Sequence, residues 1–217
     1  MKGLPTRHLL GLLLVILLGW GVGLLVGRAV PIGVDISDNT AARAVQSDRD
    51  APTAEVAAAT LTLVEFTDYQ CPACRKADPA MTEAVLRDGM IRVRFRDYPI
   101  FGARSVRAAR VAISAARQGI YPAVHHRLMT ERRPLDDAVL REAVEASGGD
   151  WPRLLRDLET HGPRIEAQLA TTRRHAAAIG VAGTPSYLAG SILVVGALDV
   201  AGFERLFARA RESMPFE

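Results

Sequence analysis

The chain has 217 residues, 49% of them hydrophobic and 24% charged, which suits one folded domain with an extension and argues against a disordered protein. Its net charge of +3 comes from Lys2, Arg7 and Arg28, because residues 31–217 hold 24 basic and 24 acidic side chains. No run of like charge is present that could follow a phosphate backbone. We therefore expect no nucleic-acid partner.

An uncharged stretch near the N-terminus predicts a membrane segment. Residues 9–26 consist mainly of Leu, Val, Ile and Gly, and as a helix they would span about 27 Å, close to the thickness of a bilayer core. We predict a transmembrane anchor at 8–28, with residues 1–7 in the cytoplasm because positive charges precede the anchor. A cleaved signal peptide is the alternative, with small residues around Arg28 at the cleavage site. Both place the remaining chain on the periplasmic or extracytoplasmic side of the inner membrane.

Glycine recurs every four residues within this segment, at Gly19, Gly23 and Gly27. Such a strip allows two transmembrane helices to approach closely, so we predict a possible dimer through this face. The alternative is that glycine is simply frequent in membrane helices.

Residues 29–58 lack sustained apolar periodicity and are predicted to form a tether. A short helix is expected around 41–48, and a weak strand candidate lies around 53–58. We predict that the folded domain occupies residues 59–217.

The domain begins with a strand, a helix and a second strand. Residues 61–66 form a short apolar run that predicts a central strand, and residues 72–88 predict a helix that Gly89 ends. Residues 91–96 alternate apolar and basic side chains, which predicts a strand with one solvated or partly covered face.

A helical block follows, at about 103–180, and separate helices are expected from Trp151 and from near residue 160, divided at Gly162-Pro163. Two short β runs separated by Gly190-Ser191 predict a hairpin, and a last helix begins at Asp199. This order predicts an α/β fold with a small mixed sheet and an all-helical insertion.

The only two cysteines, Cys71 and Cys74, are separated by Pro72 and Ala73 and lie between the first strand and its helix. Pro72 fits the first helical position, which places Cys71 at the helix N-terminus, where free N–H groups and the helix dipole favour a thiolate. Cys74 follows nearly one turn later, close enough to form a disulfide and shielded from solvent. Arg75 either supports the thiolate or is solvated. We predict that Cys71 is an accessible attacking cysteine and that the pair is a redox-active disulfide needing no cofactor.

A structural or metal-binding role for the cysteine pair has less support. A structural disulfide would close a four-residue ring and constrain little of the unfolded chain. A metal site would need histidine ligands on predicted helices without a recognised zinc spacing, so we predict none; the candidates are His125, His126, His161 and His175. His125 and His126 are expected to be packing or surface residues. A non-redox binding or assembly module with an inert disulfide remains a further alternative.

Residues 60–212 resemble the DsbA family of thioredoxin-fold proteins. The resemblance rests on the sequence LVEFTDYQCPAC at 63–74, on RDYP at 96–99, on GTP at 183–185 and on the placement of the helical insertion. It implies a thioredoxin-like fold and a protein disulfide oxidoreductase. The dipeptide Pro72-Ala73 differs from the Pro-His of strongly oxidising members, so oxidising strength is not implied.

The resemblance also implies roles for three residues outside the cysteine pair. Pro185 is expected to be cis and to lie beside the cysteines, with Thr184 offering backbone groups to an extended substrate segment. Glu65 matches a buried acid beneath the active site that could exchange a proton with Cys74. A carboxylate facing water at the strand edge is the alternative for Glu65.

We expect the pair to donate its disulfide to cysteine-containing exported proteins and a membrane redox partner, such as a quinone-linked oxidase, to reoxidise it. The opposite direction remains open, as a reductase or isomerase kept reduced by a membrane electron donor.

Overall fold

The computed structural model describes residues 11–20 and 31–213, and the chain divides into two compact units, Met1–Ile32 and Gly33–Glu217. In the first unit, residues 11–20 form a helix with exposed apolar side chains. Much of the anchor predicted at 8–28, including Gly23 and Gly27, lies outside the described residues. Within the described ranges, no helix has the length and apolarity needed to cross a membrane. The anchor and the dimer stay predictions.

The second unit combines a six-stranded sheet with helices on both of its faces. The strands are β1 (Val34–Asp35), β2 (Thr53–Ala54), β3 (Leu61–Thr67), β4 (Ile91–Asp97), β5 (Ser186–Ala189) and β6 (Ile192–Val195). The described helices are α1 (Thr40–Ser47), α2 (Pro72–Asp88), α3 (Ala103–Ala115), α4 (Tyr121–Thr130), α5 (Asp137–Glu145), α6 (Trp151–Ala178) and α7 (Val200–Glu212).

The sheet is mixed, as predicted, with the strand order β1-β6-β5-β3-β4-β2. Strands β3 and β4 are parallel, and the other neighbouring pairs are antiparallel. The structure confirms the central position of β3 and the hairpin formed by β5 and β6. It also confirms the helical block, which runs from α3 to α6 between the second long strand and the hairpin.

Alternation along the strands gives the sheet two different buried faces. Val64 and Phe66 of β3 pack with α1 and with the end of α6, forming an apolar cluster. Glu65 lies between them in sequence and points to the opposite face, together with Phe95 and Tyr187 of the neighbouring strands. The ring of Tyr187 meets Phe203 of α7 edge-on, with 4.8 Å between the ring centroids. Glu65 therefore lies in the buried layer of side chains between this face of the sheet and the helices that cover it.

The tether predicted at 29–58 is wrong from Gly33 onwards, and the folded unit begins well before residue 59. β1 pairs with β6 and β2 pairs with β4, at the two edges of the sheet. The predicted short helix is confirmed as α1, and the weak strand candidate contains β2. Two-residue strands are too short to show the alternation by which a sequence predicts a strand. Their stability comes from pairing with the edge of an existing sheet.

Basic side chains of β4 bind the end of α1, so the face predicted to be solvated or partly covered is covered at Arg94 and Arg96. Arg96 donates to Asp48 Oδ2 at 2.6 Å and to the carbonyl of Val45 at 3.1 Å, and Arg94 donates to the carbonyl of Gln46. The last carbonyls of a helix have no partner within the helix, and its C-terminus favours cations. The two arginines therefore supply both hydrogen bonds and charge to the end of α1.

The separate helix predicted from near residue 160 is also wrong, because α6 continues through Gly162 and Pro163. A proline disfavours helical geometry in the preceding residue, partly because the proline ring clashes with the Cβ of that residue. The residue before Pro163 is Gly162, which has no Cβ. Leu158 and Ile165 are buried on either side of the proline, so the apolar stripe of the helix is uninterrupted. Packing along this stripe compensates for the backbone hydrogen bond that Pro163 cannot make.

Substituting Asp48→Asn tests the link between α1 and the sheet. Arg96 is 1% exposed and Asp48 only 19%, so the substitution leaves a buried guanidinium without its counter-charge. We expect the free energy of unfolding in urea to fall by about 1–3 kcal/mol. The control is Asp50→Asn, whose pair with Arg164 is largely exposed and should contribute at most about 0.5 kcal/mol. Equal losses in the two variants would contradict this role.

Candidate active site

Cys71 caps the N-terminus of α2, in the position that the sequence predicts. Pro72 is the first helical residue, and the Sγ of Cys71 accepts a hydrogen bond from the backbone N–H of Cys74 at 3.4 Å. A sulfur in this position faces the unpaired N–H groups and the positive end of the helix dipole. Both cysteines are free thiols, so the structure shows the dithiol form of the pair.

The segment before β5 lies against the sulfur of Cys71. The Thr184–Pro185 peptide bond is cis, as the resemblance implies. The Cys71 thiol donates a hydrogen bond to the carbonyl oxygen of Thr184 at 3.2 Å. The structure thus brings together two segments that are more than one hundred residues apart in the sequence.

The expectation that Cys71 is accessible is wrong for this conformation, since the residue is only 2% exposed. Its sulfur lies between the Thr184 carbonyl and the first turn of α2. The sulfur caps the helix and contacts the Thr184 segment, and these same two contacts remove it from solvent. A partner must displace one of these contacts to reach it.

Two polar side chains fix the loops around the pair. The carboxylate of Asp68 accepts the backbone N–H groups of Ile100 and Phe101 at 2.6 and 3.1 Å, which joins the loop after β3 to the loop after β4. Arg75 Nε donates to the carbonyl of Tyr69 at 2.7 Å. Arg75 therefore braces the backbone preceding the cysteines, a contact that the sequence did not predict, and its support of a Cys71 thiolate stays a prediction.

Cys74 lies beneath Cys71 and is fully buried, as predicted. Burial raises the pKa of its thiol to about 12, and interactions with the Asp68 backbone and with the Thr184 and Thr67 side chains only partly offset this effect. A thiolate at this position is therefore costly at neutral pH. Any reaction that releases or consumes the Cys74 thiolate needs a proton donor or acceptor nearby.

Glu65 is a fully buried acid, so the alternative of a water-facing carboxylate is wrong, and both it and Cys74 interact electrostatically with Tyr187. Among the residues that the structure describes, neither carboxyl oxygen of Glu65 has a hydrogen-bond partner. Burial raises the pKa of Glu65 to about 7, against the opposing effect of the charge on His125. Near neutral pH this carboxyl can both donate and accept a proton.

A polar cluster that the sequence did not predict surrounds Glu65. His125 of α4 is buried, with its Nε2 3.3 Å from Asp78 Oδ1 and 3.8 Å from Glu65 Oε2. Its Nδ1 lies 3.1 Å from the hydroxyl of Tyr69. Tyr121 donates to Asp97 Oδ2 at 3.0 Å and lies 3.3 Å from the Tyr69 hydroxyl. Burial raises the pKa of Asp97 to about 6.

Part of this cluster has a signal in the sequence. Asp78 follows Cys74 by four residues, which places both on the same face of α2. His125 has no comparable signal, because it reaches the cluster from the helical insertion. Among the residues that the structure describes, no three His, Cys, Asp or Glu side chains are arranged to hold a metal ion.

Comparison with known proteins agrees with this geometry. The family model for the DSBA-like thioredoxin domain matches residues 62–208. A thioredoxin-like oxidoreductase from Silicibacter pomeroyi is 32% identical, with a TM-score of 0.73, over 78% of this chain and 97% of that one. A periplasmic thioredoxin-like protein from Salmonella enterica serovar Typhimurium is 27% identical, with a TM-score of 0.70, over 81% of this chain and 98% of that one.

The chain is also similar to part of a much longer protein. A Na⁺/H⁺ antiporter, NhaA 1 of Mycolicibacterium vanbaalenii, is 28% identical over 173 residues. The match covers 78% of this chain but only 28% of the antiporter.

The raised pKa of Glu65 predicts how stability depends on pH. In the unfolded chain this carboxyl titrates near 4.5, so between about pH 4.5 and 7 the folded protein retains a proton that the unfolded chain has lost. Stability must therefore fall as pH rises through this window. In Glu65→Gln the side chain at this position no longer titrates. From pH 5 to pH 8 we therefore expect its free energy of unfolding to fall by about 1–3 kcal/mol less than that of the wild type.

Urea unfolding at the two pH values measures this difference. Glu55→Gln is the control, because Glu55 is exposed and forms its ion pair with Arg92 at the surface. It should keep the wild-type pH dependence. If Glu65→Gln does so as well, the buried carboxyl is not titrating in this range.

Proposed function

Since this chain belongs to the DSBA-like thioredoxin domain family and is a thiol–disulfide oxidoreductase, we propose that it donates the Cys71–Cys74 disulfide to cysteine pairs of exported proteins. One observation carries the proposal. The Cys71 sulfur lies at the N-terminus of α2 and against the Thr184 carbonyl, with the Cys74 thiol beneath it. The first sulfur can thus exchange with a substrate while the second remains shielded.

The reaction has two exchange steps. A substrate thiolate attacks the Cys71 sulfur, a substrate–Cys71 disulfide forms, and the Cys71–Cys74 bond breaks with its electron pair on Cys74. A second substrate thiolate then attacks the substrate sulfur of the mixed disulfide, and Cys71 leaves as a thiolate. The substrate loses two electrons and two protons and gains a disulfide, while the protein becomes the dithiol.

The proton for Cys74 comes from Glu65 in this proposal. Burial makes a Cys74 thiolate a poor leaving group, since the pKa of the thiol is about 12. Glu65 has a pKa of about 7, so much of it is protonated at neutral pH, and it shares the neighbour Tyr187 with Cys74. Transfer of this proton as the sulfur–sulfur bond breaks avoids a buried thiolate.

The position of Cys71 supports donation rather than reduction. Its sulfur accepts the Cys74 N–H and lies at the positive end of α2, and both features favour a thiolate once a substrate has displaced the thiol from the Thr184 carbonyl. A thiolate is present only in the reduced protein, so its stabilisation favours the dithiol state and raises the reduction potential. A stabilised thiolate is also the better leaving group in the second step.

Docking of the substrate can expose the buried sulfur. The Thr184 carbonyl accepts the Cys71 thiol in the dithiol form, and the same carbonyl can accept a backbone N–H of an extended substrate segment. The two donors compete for one oxygen. We propose that a substrate strand takes over this carbonyl and thereby releases Cys71 for exchange.

We further propose that the domain works on the periplasmic or extracytoplasmic side, held by the predicted anchor, and that a membrane oxidase restores its disulfide. The similar protein of Salmonella enterica is itself described as periplasmic. An exported location also favours disulfide donation, because disulfides persist in oxidising compartments.

A trapping experiment tests the division of labour within the pair. Cys74→Ser should accumulate more mixed disulfide through Cys71 than the wild type when mixed with an excess of an oxidised two-cysteine peptide, because Cys74 can no longer release the adduct and only the second thiol of the peptide can reverse it. Non-reducing gels and mass spectrometry measure the product. The control, Cys71→Ser, should form no adduct, since Cys74 is fully buried. Absence of adducts in both variants would favour a non-redox binding module.

The reduction potential of the wild-type pair tests the direction. Equilibration with glutathione buffers should give a value clearly more positive than the roughly −270 mV of thioredoxin. We expect the reduction potential of Thr67→Ala also to be more positive than that of thioredoxin, because Thr67 contributes only a minor interaction with Cys74. A wild-type value in the thioredoxin range would sink the donor proposal and support a reductase or isomerase.

A further inference from the structure

The cluster below the cysteines contains more acid than base. Glu65, Asp78 and Asp97 are all buried, and they come from β3, α2 and the end of β4. Among the described residues, the basic side chains in ion-pair contact with these carboxyls are His125 and His126. His126 is 60% exposed, so only His125 places a cationic group inside the layer. Buried charge of one sign must be neutralised by protons or by an opposite charge.

We propose that His125 is a positioning residue that carries the positive charge of this cluster and sets the pH range in which Glu65 exchanges a proton with Cys74. The inference rests on the proposed function, in which Glu65 serves Cys74. His125 itself touches neither the substrate nor a sulfur, and it acts through the carboxyl of Glu65.

The orientation of the imidazole fits a doubly protonated ring. Nδ1 lies 3.1 Å from the Tyr69 hydroxyl, within hydrogen-bond distance, whereas Nε2 lies 3.3 Å from Asp78 Oδ1 in an ion-pair contact that lacks hydrogen-bond geometry. An imidazolium carries an N–H on each nitrogen, and here each nitrogen faces an oxygen. The ring of Phe95 lies 4.5 Å away, centroid to centroid, and Tyr121 stacks at 5.8 Å, so the imidazole is held in place.

Several elements around His125 present groups that bear on its charge. These groups are Glu65 on β3, Tyr69 on the following loop, Asp78 on α2, Asp97 on β4, and Tyr121 and His126 on α4 itself. Burial lowers the pKa of His125, but the hydrogen bond with Asp78 and the charges of the three carboxyls outweigh burial and raise it. In return, the charge on His125 lowers the pKa of Glu65 against the effect of burial.

This coupling has a consequence for the two directions of proton transfer. Without the cation, Glu65 would hold its proton to a higher pH. It could still protonate Cys74 when that sulfur leaves, but it could no longer accept a proton when the Cys74 thiol attacks a mixed disulfide. Removal of the charge should therefore slow attack by Cys74 near neutral pH and spare the opposite step.

The experiment compares His125→Gln with the matched control His126→Gln. A mixed disulfide between Cys71 and glutathione is prepared in the full chain, and the rate of its release by Cys74 is measured from pH 5 to 9.5. In His125→Gln we expect the inflection of the pH–rate profile to lie about one to three pH units above that of the wild type, with release of glutathione at pH 7 slower by at least about fivefold. His126→Gln should stay close to the wild-type profile, because its side chain is 60% exposed and solvent screens its 3.8 Å contact with Asp78.

Two further measurements separate an electrostatic role from loss of structure. In a Glu65→Gln background, His125→Gln should cause no additional shift, because the group through which it acts is gone. In the wild type, NMR of the His125 ring should find it more than half doubly protonated at pH 6.5, since its pKa lies above that value. A neutral ring at that pH, or an unmoved profile in His125→Gln, would overturn the inference.

The outcomes for this inference and for the proposed function are distinct. Failure of disulfide donation appears as absent Cys74→Ser adducts or as a potential in the thioredoxin range. Neither result changes the titration of the His125 ring. An unmoved pH profile together with normal trapping would remove the role of His125 and leave the donor function in place.

Discussion

The contact between the Cys71 sulfur and two backbone groups is the interaction on which the rest of the site depends. The sulfur accepts the N–H of Cys74 at the start of α2 and its thiol donates to the carbonyl of Thr184. The first contact requires a helix that begins directly after the central strand. The second requires the segment before β5 to return to that strand's end after the whole helical insertion. The fold can be understood as the means of bringing these two segments to one sulfur.

This arrangement has a cost, because it places ionisable groups in an apolar layer. Cys74 and Glu65 are fully buried, and burial raises the pKa of both. The two raised pKa values complement each other. The buried Cys74 sulfur needs a proton when it leaves, and the buried Glu65 carboxyl retains one near neutral pH. Burial thus creates the need for a proton and also prepares its source.

The helical insertion has a direct connection to this chemistry. It supplies Tyr121 and His125, which pack on Phe95 and reach Glu65 and Asp97 on the sheet. The insertion is therefore more than a cover for one side of the sheet. A change in its packing would alter the electrostatic environment of the cysteine pair.

The sequence by itself determined the local chemistry of this protein. It predicted the two cysteines at a strand–helix junction, the central strand that carries Glu65, the hairpin and the last helix, because strand alternation, helix caps and turn residues act over a few neighbouring positions. The resemblance to a known family added the partnership of Cys71 with Thr184 and Pro185.

Only the tertiary structure decided which groups surround the pair. The edge strands β1 and β2 exist through pairing with strands far along the chain, and Arg94 and Arg96 are buried because α1 covers them. His125 becomes a partner of Glu65 because α4 packs against the sheet. Burial and charge at such positions depend on neighbours that are distant in sequence, and no local pattern of residues encodes them.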